Sequence, residues 1–252
     1  MAFYDLSKEK RYELVEQITH SIHVELKSGR LLKTFNYFSD EDTYIRKSAY
    51  LAIGKIYKSD VKLRAKIILS LNKMLKNPDF EIRQTTVNSA GEIGILDFDT
   101  VEHFFDTSLF DVHHSVRNAV IGSVKKMSAK NHKPVLNWAK KYLHHEDKEI
   151  RREICHGIEL RGRTHPQDIL PLLKELQYDK TARVKNTLVH VIGQISYKKG
   201  CLATVIEDLN TWKNKDIVEK AIEEIIDVHD RYKNFSILTQ QQAIKYIDQH
   251  LN

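Results

Sequence analysis

Cysteine, proline and glycine are all scarce in this chain of 252 residues, which holds 2 Cys, 4 Pro and 9 Gly. With so few cysteines, Cys155 and Cys201 give neither a disulfide framework nor a paired metal motif, and a reducing, cytoplasmic setting is the expectation. The shortage of proline and glycine leaves little material for long loops or tight β-turns, so an all-helical chain is expected. No apolar run reaches the length needed to span a bilayer, and Met1 to Arg11 lacks the apolar segment of a secretion signal, so no membrane partner is expected. Excess charge of one sign is slight: 40 Lys and Arg against 34 Asp and Glu give a formal net charge of +6. That balance admits a polyanionic partner and equally fits a helical surface laced with ion pairs.

Repetition is what the chain has in abundance. An aliphatic residue followed by a base recurs at Ile45-Arg46, Ile82-Arg83, Val116-Arg117, Ile150-Arg151 and Val184-Lys185, and the frame continues to Val218-Glu219. The steps between them are 37, 34, 34, 34 and 34 residues. A fixed period of this size is the mark of a solenoid in which one supersecondary unit is stacked repeatedly. Each unit reads as a first helix, a turn rich in Asp or Asn, and a second helix opening just before the aliphatic-base pair. In the turns, Asp42, Asp79 and Asp147 are placed to cap the second helices. Residues 7–28 read as an amphipathic cap carrying Tyr12, Val15, Ile18, Ile22 and Leu26, the repeats fill residues 30–232, and 239–250 form a closing helix. One continuous domain over 1–252 is expected.

The run Asp42-Thr43-Tyr44-Ile45-Arg46-Lys47-Ser48-Ala49-Tyr50-Leu51-Ala52-Ile53-Gly54-Lys55-Ile56 resembles a HEAT repeat. That resemblance implies a right-handed α-α superhelix of about six helical pairs, with the second helices lining a concave side. It also implies that the recurring base pairs with a turn Asp from one unit to the next, as a structural rung.

The row after the base has no such fixed partner and holds Lys47, Gln84, Asn118, Arg152, Asn186 and Lys220. In the fourth unit Arg152, His156, Glu159 and Arg163 fall on one helical stripe. A shift of 34 residues takes that stripe to Asn186, His190, Gly193 and Tyr197, and a shift back reaches Asn118, Gly122 and Lys125. Donors of this kind suit a phosphodiester backbone, and Lys47, Gln84, Asn118, Lys125, Arg152, His156, Arg163, Asn186, His190 and Lys220 are the candidate DNA contacts. A merely solvated inner face is the competing reading.

Residues 138–212 resemble the HEAT-like alkylpurine DNA glycosylases more narrowly, through Ile150, Arg151, Arg152, Gly157, Arg161, Asp179, Val184, Lys185 and Trp212. The family's catalytic Asp position reads Gln194, which carries no charge to stabilise a developing sugar cation. Glu159 is the candidate substitute. The resemblance therefore implies DNA binding in the groove with catalysis altered or lost, leaving enzymatic activity open. Trp138 and Trp212 lie in first helices, where burial is expected. A protein-interaction scaffold is the alternative, favoured by the acidic run Glu219, Glu223, Glu224 and Asp227. His113-His114 and His144-His145-Glu146 do not form the same-face helical pairs of a metal motif, so neither a metal nor another cofactor is expected.

Overall fold

The computed structural model describes residues 3–251, and every regular element among them is helical. The helices are α1 (Lys8–Ser28), α2 (Leu32–Phe38), α3 (Thr43–Ser59), α4 (Arg64–Met74), α5 (Phe80–Gly94), α6 (Phe98–Ser108), α7 (His114–Lys130), α8 (His132–Tyr142), α9 (Lys148–Gly157), α10 (Glu159–Gly162), α11 (Leu170–Glu175), α12 (Ala182–Gln194), α13 (Cys201–Leu209), α14 (Lys215–Arg231) and α15 (Gln240–His250). The fold class is the α-α superhelix, built of stacked helical pairs. None of the described helices is long and apolar enough to cross a membrane. Residues 1–127 and 128–252 form two compact units, and each is taken by itself below.

Local chemistry sets the helix ends. The Ser7 hydroxyl accepts from the Lys10 amide to open α1, and Gly29, at φ 80°, closes it by donating to the Glu25 carbonyl. Asp42, Asp79 and Asp147 each accept from the backbone amide two residues on, opening α3, α5 and α9. Thr239 and Gln242 form a reciprocal capping box at the start of α15.

In the first unit α3 packs between α1 and α5, and the core includes Ile22, Ile53, Phe104 and Phe105. In the second, α12 packs between α9 and α14, over Ile154, Leu188 and Ile225. Trp138 and Trp212 are both buried, Trp138 within α8 as expected and Trp212 in the turn after α13 rather than in a first helix. Tyr12 departs from expectation: it is 69% exposed and adds nothing to the buried stripe of Ile18, Ile22 and Leu26. Close helix approach is made possible by missing side chains. A Cβ on Gly91 would lie 2.6 Å from Ser123 Cβ, and one on Gly193 would lie 2.5 Å from Glu224 Cγ.

Two of the recurring bases, Arg83 and Arg151, form structural rungs from one repeat to the next. Arg83 donates from Nε and Nη2 to Asp111 at 2.8 and 2.9 Å, and Arg151 donates likewise to Asp179 at 2.6 and 3.2 Å. The acid in each case is the Asp that opens the next turn, which also accepts from a backbone amide, His113 for Asp111 and Thr181 for Asp179. The remaining guanidinium nitrogen of each Arg holds the preceding turn: Arg83 donates to the Asn77 and Pro78 carbonyls, and Arg151 to those of His145 and Glu146.

Burial alone would raise the carboxyl pKa of Asp179, but the Arg151 guanidinium and the Thr181 amide outweigh it and hold the group below the usual carboxylate range. A depressed native pKa contributes stability above the ordinary Asp range, and that contribution disappears as pH falls through the depressed value. Urea unfolding at neutral pH should show Arg151→Ala costing about 3 kcal/mol, the range for breaking a buried pair from one side. The difference should shrink as the carboxyl protonates below about pH 4. Gly91→Ala should cost about 1–3 kcal/mol in the same assay by overpacking against Ser123.

Candidate functional site

The face to which sequence assigns function begins with a break. The stripe from Arg152 to Arg163 runs over two helices rather than one: α9 stops at Gly157, Ile158 is a turn residue, and α10 starts at Glu159. Gly157 precedes the interruption, where its low helix propensity weakens continuity. The four side chains still meet, but not as a solvent-facing row.

Glu159 is 1% exposed, against the expectation of a solvated carboxylate. Its position in the repeat explains this. It lies eight residues after Arg151, the place held by Gly54, Gly91 and Gly193 after their own bases, where a second helix approaches the next. The carboxylate is compensated there. Arg163 donates to Oε1 from Nε at 2.9 Å and from Nη2 at 2.5 Å, while His156 Nε2 lies 3.2 Å from Oε2. Arg163 Nη2 also donates to Gln194 Oε1 at 2.9 Å. Gln194 is 1% exposed, and its Nε2 has no hydrogen-bond partner among the described residues.

Cys155, beside this group, is fully buried, and burial pushes its thiol far above the ordinary value. A thiol so buried is a poor nucleophile.

From α12, His190 brings its ring centroid within 6.2 Å of that of His156, and Glu224 of α14 lies 3.3 Å from His190 Nδ1. Asn186, Val189, His190, Lys220, Glu223, Glu224 and Asp227 line an open depression of about 420 Å³. Its cation is engaged, since Lys220 donates to Asp216 at 2.9 Å. Arg152 donates to Glu149 at 3.0 Å and Arg163 is held by Glu159, so these bases are tied into the fold as well. Arg231 pairs with both Glu224 and Asp227, at 2.6 and 2.5 Å. Tyr197, a member of the expected stripe, is buried and stacks on Tyr232 at 5.4 Å.

In the first unit Lys47 and Gln84 share a second depression of about 300 Å³ with Tyr50 and Asn88. Asn118 is exposed and Lys125 half-buried, both on α7. Glu223, Glu224 and Asp227 were the members of the second-unit site that the DNA reading left out. The repeat frame was the available signal, because Glu224 is His190 shifted by 34 residues, as His190 is His156 shifted by 34.

The sequence model of the non-SMC mitotic condensation complex subunit 1 family matches residues 31–161. No curated protein matches the chain. Among solved structures, the chain is similar to one in the Pds5–Scc1 complex, at a TM-score of 0.51 and 12% identity over 97% of this chain and 42% of that one. It is also similar to a chain in the Kap95p–RanGDP complex, at a TM-score of 0.47 and 13% identity over 86% of this chain and 32% of that one. The first similarity bears on the fold, and the second is too loose to add to it.

Arg163→Met should destabilise the protein by about 3 kcal/mol, since it leaves Glu159 buried without its guanidinium. Glu159→Leu combined with Arg163→Met should recover most of that loss. Chemical denaturation of the two single variants and the double variant measures the coupling.

Proposed function

The chain belongs to the family of the non-SMC mitotic condensation complex subunit 1, and from that premise we propose that it works as a protein-interaction scaffold within a complex. Its partner is a basic, extended protein segment seated along the second helices α12 and α14. The observation that carries this reading is the acidic lining of the depression there, where Glu223, Glu224 and Asp227 outnumber Lys220 and stay in excess when Arg231, paired with Glu224 and Asp227, is counted. Carboxylates in that number repel a phosphate backbone and attract Lys or Arg side chains. Asn186 adds an amide that both donates to and accepts from a peptide group.

The same charge pattern weighs against DNA on this face. Arg152, Arg163 and Lys220, the bases from which sequence built a phosphate track, already satisfy acids of the fold. Neutralising phosphates would require these pairs to break, which offsets the gain from counterion release.

Fluorescence anisotropy with a short Lys/Arg peptide and with a duplex oligonucleotide separates the readings. The peptide should bind, and Glu223→Lys combined with Asp227→Lys should weaken it about tenfold or more. Duplex binding that falls steeply with salt and is lost on Arg152→Glu with Arg163→Glu, with no peptide binding, would overturn the scaffold reading in favour of DNA.

A further inference from the structure

His156, Glu159 and His190 come from three different helices, α9, α10 and α12, and each offers one ligand atom such that all three atoms lie within 4.8 Å of one another. We propose that these residues form a zinc-binding site, with two imidazoles and one carboxylate as protein ligands and a fourth position open to solvent. This inference is independent of the peptide reading, because it rests on ligand chemistry and not on the net charge of the face.

The ligand set selects the class of ion. Two imidazoles with one carboxylate suit Zn²⁺ and its neighbours in the first transition row, whereas Mg²⁺ and Ca²⁺ require oxygen-rich shells. Bonds of about 2.0–2.1 Å in a tetrahedral arrangement place neighbouring ligand atoms about 3.3 Å apart. His156 Nε2 and Glu159 Oε2 stand at 3.2 Å. That pair has the right spacing before any movement. His190 supplies the remaining closure, and with its side chain 43% exposed it has room to turn inward.

The surroundings supply what metal ligands need. Glu224 Oε1 lies 3.3 Å from His190 Nδ1, so a proton held on Nδ1 is directed to the carboxylate and Nε2 is left as the coordinating nitrogen. This carboxylate–histidine arrangement fixes the tautomer and strengthens the ligand. Arg163 binds Glu159 through Oε1, which leaves Oε2 facing His156. The charges around the centre come from Glu159 and Glu224 on one side and Arg163 and Arg231 on the other, with Arg231 held by Glu224 and Asp227. Burial of Glu159 and Gln194 closes the inner side, while the half-buried histidines leave the outer side accessible.

A same-helix search for paired histidines does not find this set. Its members are assembled by stacking: His156 and His190 are one repeat apart, and Glu159 reaches them from the helix-contact position that glycine holds elsewhere.

The test is calorimetric titration of the chelator-treated full chain with Zn²⁺, with Co²⁺ as a spectroscopic probe. One ion per chain should bind, and Co²⁺ should give the visible absorption of a low-coordinate nitrogen and oxygen site. Glu224→Gln should weaken Zn²⁺ by about 10- to 100-fold as an outer-shell partner, and His190→Ala should weaken it further. His144→Ala, at an exposed histidine paired with Glu175 away from the site, should leave affinity unchanged. His190→Ala removes an exposed ligand, so circular dichroism should show its fold intact, and it keeps the test valid if Glu159→Gln fails to fold. Absence of one-to-one binding, or binding undiminished by a folded His190→Ala, overturns the proposal.

Discussion

The rest of the structure depends on one repeated ion pair, the guanidinium at the base of a second helix gripping the aspartate that opens the next turn. Arg151 shows its whole work. One edge of its guanidinium donates to Asp179, and the other nitrogen collects the carbonyls of His145 and Glu146. A single side chain thereby closes its own turn and sets the distance to its neighbour. Stacked repeats contact only their neighbours, so such a rung transmits register along the array with no long-range contact. Asp179 is nearly buried and held ionised, which makes the rung directional as well as attractive.

The rung explains why the architecture was legible in the sequence. A period of 34 residues needs only that equivalent positions face equivalent neighbours, and Ile82, Val116, Ile150, Val184 and Val218 are all buried in consequence. The capping roles of Asp42, Asp79 and Asp147 were readable because a cap bonds within its own turn. The pairing of Arg83 and Arg151 with an Asp of the next repeat follows from the same frame. In each case the Arg takes the aspartate of the following turn, which also accepts from the amide two residues on.

The candidate site was less legible, and Glu159 shows why. On a helical wheel it belongs with Arg152, His156 and Arg163 as a polar stripe, which reads as solvated. The repeat frame puts it in the contact row instead, in register with Gly193 and Gly91. Periodicity within a helix and periodicity across repeats gave different answers, and packing followed the second. Lys47 and Gln84, which share one row of the repeat frame, line the same depression, since both lie early in their second helices, before any such conflict arises. The role of Glu224 was missed because its charge appeared to end the donor row, when it sits in the same column as His156 and His190.

Both cysteines lie in the unit that carries this column, and both are buried with thiols shifted upward by that burial. They are therefore silent to oxidants and alkylating reagents while the helices are packed, and reactive once a repeat opens. Cys155 lies one residue from His156 and four from Glu159, so its rate of chemical labelling clocks the opening of α9, the helix that carries His156.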